Sequence, residues 1–148
     1  MNQRGRDAME TTVQDLVDKT QFDVWTTLSV RYRDLDLMGH VNHAVIVSYF
    51  EQARNGILDG LPLPESDGMV LGELHVRYLA EIARDSIVEI GTGVSRLGGR
   101  SFTLGQAAFV GETCVATCLG TLVYISRETR RAAEMPPAFR EHLEKFLL

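Results

Sequence analysis

Between Arg31 and Arg54 the run RYRDLDLMGHVNHAVIVSYFEQAR brings together two carboxylates, Asp34 and Asp36, a glycine, Gly39, and two histidines, His40 and His43, ahead of a helix-like pattern. A carboxylate beside a helix start is equipment for acyl transfer or hydrolysis. The first helical turn leaves backbone N–H groups without intrahelical acceptors, and such groups polarise a carbonyl and hold oxyanion charge. The carboxylate can act on the carbonyl carbon directly or deprotonate a water. Gly39 permits close backbone approach, and Asn42 is placed to cap a helix beginning near His43. If the preceding strand continues, Asp34 and Asp36 point to opposite sides, so at most one enters a given pocket. Turn capping is the competing role for either acid. Asp36, His40 and His43 together match no metal-site spacing, and no metal or cofactor is expected. There is no GxSxG elbow, P-loop or dinucleotide fingerprint. A Ser-His-Asp triad stays open by pattern, although no serine is marked as its nucleophile.

The elements that must position these groups are legible on either side. From Asp23 to Arg33, Val24, Thr26, Leu28, Val30 and Tyr32 alternate, which predicts a strand with one buried face. After the bend, Ile46, Tyr49, Phe50, Ala53 and Ile57 recur at three- and four-residue spacing, one apolar stripe of a helix that Gly60 and Pro62 stop. Glu51 and Arg54 lie three apart and can pair on its flank. LPLPESDG then reads as a loop, with residues 61–69 a candidate pocket mouth. Four strands follow, GELHVRYLAEI, SIVEIGTGVSRL, RSFTLGQAAFV and ETCVATCLGTLVYIS, joined at Arg84-Asp85, Gly98-Gly99 and Gly111-Glu112. The last is apolar on both faces, Cys114, Ala116, Cys118, Leu122 and Tyr124 against Val115, Leu119, Val123 and Ile125, so one face should cover the helix and the other a second subunit. PPAFREHLEKFLL predicts a short surface helix with Phe139, Leu143 and Leu147 in register.

One domain accounts for 148 residues, with residues 1–21 an N-terminal extension and 22–148 the folded unit. Residues 1 to about 20 are expected to be mobile, with Thr12 and Asp15 a weak capping pair for a short helix carrying Leu16 and Val17. A formal charge of −5 without a long basic run argues against nucleic acid and anionic membranes as partners. Arg127, Arg130 and Arg131 form the one dense basic cluster, read either as a solvated strand end or as phosphate contacts. Cys114 and Cys118, four apart in a strand, face the same way but too far apart to bridge, so reduced buried thiols are expected. The N-terminus has no signal-peptide core and no segment reaches 18 apolar residues, which points to a soluble, cytoplasmic protein.

The motif YRDLDLMGHVNHAVIVSYFEQAR, the later strand pattern, LGGRSF at a turn and a basic region before MPP resemble the hot-dog-fold acyl-CoA thioesterases of the 4-hydroxybenzoyl-CoA thioesterase-like group. The resemblance runs from about Val24 to Pro137. It implies an α+β fold in which a five-stranded antiparallel sheet wraps a long central helix, and a homodimer or homotetramer with active sites at the subunit interface. It also implies hydrolysis of an acyl-CoA thioester, with Asp36 as nucleophile or general base and His43 at the polarising helix start. Gly39, Val41, Asn42 and Val45 would then contact substrate, and Arg127, Arg130 and Arg131 the CoA phosphates. The helix start departs from the commoner form by carrying AVIV after His43, so a hydroxybenzoyl substrate is not implied. The rival functions are an acyl-carrier-protein thioesterase and a noncatalytic acyl-CoA-binding module.

Overall fold

A six-residue strand, β1 (Val24–Ser29), opens the sheet, its residues alternately half-buried and exposed as a one-sided strand requires. The computed structural model describes residues 15–148. The helix α1 (His43–Leu58) follows, then β2 (Asp67–Tyr78), β3 (Ile87–Leu97), β4 (Ser101–Val110), β5 (Thr113–Ser126), a two-residue β6 (Arg131–Ala132) and α2 (Pro137–Glu144). The strands form one antiparallel sheet in the order β1-β3-β4-β5-β2, with β6 added to β5. The sheet curls around α1, which is the hot-dog arrangement that the family resemblance implies.

The apolar stripe of α1 explains why it lies inside. Ile46, Tyr49, Phe50 and Ala53 meet Val88 and Ile90 of β3, Ala108 of β4 and Val115, Ala116 and Cys118 of β5. Further along, Ile57 joins Phe102, Leu104, Leu122 and Tyr124, closed by Phe139 and Leu143 of α2. Burying each such aromatic or branched side chain contributes about 1.5–3 kcal/mol. These two clusters fix α1 and so fix where its N-terminus points.

Several expectations change. The first strand ends at Ser29, and Tyr32–Asp34 form a 3-10 turn, so Tyr32 stands 81% exposed instead of lying on a buried face. The two cysteines face opposite sides of the sheet. A register shift between Ala108 and Phe109 places Ala116 opposite one and Cys114 opposite the other, leaving Val115 as an extra residue that reverses the alternation. Cys118 therefore lies in the helix-side core and Cys114 on the other face, and both are free thiols. Burial pushes the Cys118 thiol up to about 12, with the nearby Arg54 charge opposing it.

The outer face of β4 and β5, assigned from sequence to a second subunit, is partly covered by the chain itself. Leu16 and Phe22 pack on Ala107 and Phe109, with Cys114 and Leu119 beside them. Phe22 lies so close over Gly91 that a side chain there would overlap its ring. Leu16 sits in a 3-10 turn, Asp15–Val17, whereas the proposed capping role of Thr12 lies outside the described residues. Large apolar residues left open include Val70, Leu71, Tyr78 and Leu79 on and beyond β2, Leu37 and Met38 in the bend, Ile87 at the start of β3, and Val17 and Trp25 near the N-terminal turns. No helix among the described residues is long and apolar enough to cross a membrane.

Candidate active site

The segment between β1 and α1 is held at both ends before any functional group is placed. Asp34, only 2% exposed, accepts from the backbone N–H of Arg31, from its guanidinium and, at 2.6 Å, from the Tyr49 hydroxyl. Burial by itself would raise the Asp34 pKa, but the hydrogen bonds from Arg31 and Tyr49 outweigh it and hold the carboxyl below the ordinary carboxylate range. The Asp34 carbonyl accepts from the Asn42 N–H at 2.9 Å, and Val41 donates to Ile82 at 2.9 Å. Asp34 thus ties the 3-10 turn to the body of α1.

Two residues on, Asp36 is exposed and faces the other way. Its N–H donates to the His40 carbonyl at 2.8 Å, and its carbonyl accepts from Gly39 at 3.1 Å. Gly39 has φ 81°, a left-handed conformation that glycine adopts without a Cβ penalty, so the chain reverses tightly there. One carboxylate oxygen, Oδ1, accepts from the N–H groups of Met38 and His40 at 2.8 and 3.3 Å. The other, Oδ2, has no partner among the described residues. One oxygen is anchored and the second is available to a water or a substrate.

Asn42 is the N-cap of α1, its Oδ1 accepting from the Ala44 N–H at 2.8 Å. Val45 and Ile46 donate to the Asn42 carbonyl at 3.0 and 3.2 Å. The His43 N–H is left without an acceptor among the described residues. It carries the positive end of the helix dipole. The Tyr78 hydroxyl donates to the His43 carbonyl at 2.9 Å, and the two rings meet edge to face at 6.3 Å, so the end of β2 pins the helix start.

Asp36, His40, Val41 and His43 line one cleft of about 390 Å³, with Met38, Ile46, Tyr78 and residues 79–82 completing it. Asp36, with its unpartnered Oδ2, and His43, at the helix start, therefore line one cavity, a combination suited to acting on a carbonyl. His40 Nε2 lies 3.2 Å from Glu81 Oε2, and no group of three His, Cys, Asp or Glu among the described residues is placed to hold a metal. Gly39, Asn42 and Val45 are not among the lining residues: Gly39 makes the chain reversal, Asn42 caps α1, and Val45 packs against the first core cluster.

Two sequence expectations fall elsewhere. Residues 61–69 do not form the mouth: Leu61, Leu63 and Met69 pack in the second core cluster, at the far end of α1. Arg127, whose N–H donates to Ser66 at 2.9 Å, and Arg130 and Arg131 stand beside the start of β2. Tyr78 lies at its other end, on the order of 35 Å away by strand rise. Within one chain the arginines and the cleft are not brought together. Tyr78 and Glu81 are cleft residues that the sequence reading does not single out. Tyr78 continues the Leu74, Val76 alternation, so periodicity marks its face but not its contact with His43.

A model of the "Thioesterase-like superfamily" matches residues 30–143, which includes every residue of this cleft. The chain belongs to that superfamily. Its relatives include the long-chain acyl-CoA thioesterase FadM of Escherichia coli, 28% identical over 133 residues that cover 82% of this chain and 98% of FadM. An uncharacterised protein of Bacillus subtilis, YsmA, is 25% identical over 130 residues, 84% of this chain and 88% of its own. Among solved structures, a thioesterase of Thermus thermophilus in complex with coenzyme A and zinc superposes with a TM-score of 0.77 at 31% identity, covering 85% of this chain and 95% of its own. Membership of the superfamily supports thioester hydrolysis as the class of chemistry for this chain.

Proposed function

We propose that this protein hydrolyses acyl-CoA thioesters in the cleft between Asp36 and the start of α1. The observation that carries the reading is the half-occupied Asp36 carboxylate, with Oδ1 fixed by two backbone N–H groups and Oδ2 unpartnered among the described residues, in a cleft that is also lined by His43, whose N–H likewise has no acceptor among them. The thioester carbonyl oxygen would accept from the His43 N–H. Its carbon would then receive either Asp36 Oδ2, giving an acyl-enzyme anhydride that water cleaves, or a water whose proton Asp36 takes. The C–S bond breaks in either route, and the leaving thiolate is protonated to free CoA. The His43 ring, held against Tyr78, orients the acyl group or the water.

The choice of CoA as the thiol is supported by the relatives, one named for long-chain acyl-CoA hydrolysis and another solved with coenzyme A. The working unit is proposed to be a homodimer joined along β2, at which two sites form. Among the described residues β2 hydrogen-bonds only β5, so its other edge is open, with Val70 and Leu71 exposed toward its start, Tyr78 exposed at its end beside the cleft, and Leu37 of the bend fully exposed. An open twelve-residue edge, its apolar residues interspersed with Glu73, His75 and Arg77, is a template for pairing. Antiparallel pairing about the middle of β2 would lay the partner's Asp67 end beside Tyr78. The partner subunit's Arg127, Arg130 and Arg131 would then approach the cleft that the same residues of one chain do not reach, and could take the CoA phosphates.

The test is free-thiol release from short, medium, long and aromatic acyl-CoAs, run beside the same acyl groups on a carrier protein. Hydrolysis of at least one acyl-CoA with a carrier-protein rate well below it supports the reading. Faster turnover of the carrier-protein thioesters would assign the other thiol, and tight binding without thiol release would make the domain a binding module.

A further inference from the structure

Arg54 is a cation buried without an anion among the described residues. It is 4% exposed on α1, and the one side-chain hydrogen bond it makes among them is to the neutral Gln106 Oε1, at 3.4 Å. Gln106 is itself committed, its amide donating to the Phe50 carbonyl at 3.0 Å and to Thr92 Oγ1 at 3.1 Å. Arginine stays protonated in proteins, and an uncompensated buried charge is costly. Glu51 is three residues away, yet neither it nor Arg54 takes part in any ion pair among the described residues. Glu51 is exposed.

The place of the guanidinium narrows what can satisfy it. Side chains on a helix lean toward its N-terminus, which carries the Arg54 head back to the level of Phe50 and Glu51. A Cβ on Gly120 would lie 3.7 Å from Arg54 Nη1, with Leu74 and Leu71 of β2 at 3.5 and 3.7 Å. Leu74 pairs with Gly120 near the middle of β2, the strand whose far edge is open. A twofold axis through that region brings α1 of a second copy alongside. Helical spacing puts Glu51 and Arg54 on the same flank, so the surface is self-complementary, as a twofold interface must be.

We infer that the partner's Glu51 supplies the carboxylate that Arg54 lacks, so that two reciprocal Glu51–Arg54 bridges across the twofold lock the dimer that completes the active sites. The inference rests on the β2-edge dimer proposed above and adds to it a specific charge pairing. Apolar covering alone would leave both arginines buried and unpaired. The bridge gives the interface a register as well as an attraction.

Glu51→Arg and Arg54→Glu are made separately, and sedimentation velocity compares each variant and their equimolar mixture with the wild type, folding being checked by circular dichroism. Each variant alone sets like charges against each other across the twofold and raises the dimer dissociation constant at least about tenfold. Mixed, they restore both bridges between chains while every within-chain pair remains repulsive, so a mixed dimer forms where neither parent does. Should Arg54→Glu not fold, Arg54→Gln replaces it, and the mixture still exceeds both parents through one restored bridge. Wild-type dimerisation by either variant, or a mixture no more dimeric than its parents, overturns the pairing while leaving the dimer standing. A monomeric wild type overturns the dimer and the pairing together.

Discussion

On one flank of α1, Tyr49 and Ala53 are sealed by neighbouring strands, and Tyr49 reaches the buried Asp34. On the other, His43 and Arg54 face β2, where Tyr78 and Leu71 stay half-exposed and the strand edge has no neighbour. The two flanks belong to one helix. They differ in that the sealed flank is finished by the chain itself, whereas the open one carries the cleft, a cation unpaired among the described residues and the exposed edge of β2. The sealed flank holds the geometry, and the open flank is where the proposed chemistry and the proposed second subunit would meet.

The comparison is tested most severely by truncation on each side. Phe50→Ala empties a fully buried position and should lower unfolding free energy by about 3–5 kcal/mol in urea. Asp34→Asn comes next, removing charge-assisted bonds for a loss of about 1.5–3 kcal/mol. Because the folded Asp34 pKa is depressed, its contribution is present above the unfolded value of about 4 and is lost as pH falls through the lower folded value. The gap between wild type and Asp34→Asn should therefore close on acidification below about pH 4, which urea melts at stepped pH would record. Asn42→Ala removes the α1 cap and should cost about 1 kcal/mol, with a larger fractional loss of turnover than of stability because the cap also sets the His43 N–H. Leu71→Ala should change the stability of the monomer by at most about 0.5 kcal/mol while weakening the dimer. A large monomer destabilisation by Leu71→Ala would erase the distinction between the flanks.

The sealed flank was legible in the sequence and the open one was not. Ile46, Tyr49, Phe50, Ala53 and Ile57 announce their burial by period, and Asn42 announces its cap by type and position. The two acids of the bend were separable only as alternatives, because strand geometry fails there: the 3-10 turn at Tyr32–Asp34 sets which acid is buried. The bulge at Val115 inverted the facing of Cys114 because an extra residue in a strand leaves no mark on an alternating pattern. Arg54 reads as a flank residue, since a one-letter code carries no sign that Gln106 lies beneath it. The arginines 127, 130 and 131 clustered in sequence, but their distance from the cleft is a property of strand length and pairing.

The central claim is that Asp36 Oδ2 performs or activates the attack on the thioester. The most direct measurement is the steady-state rate of free-thiol release from the preferred acyl-CoA by wild type and by Asp36→Asn, each shown to have the same melting curve and oligomeric state. The amide keeps an oxygen for the Met38 and His40 N–H groups but presents an NH₂ where the reacting oxygen stood. The expected result is a loss of kcat of about 10²- to 10⁴-fold with a preserved fold. A folded Asp36→Asn protein that hydrolyses the substrate at near wild-type rate would contradict the account.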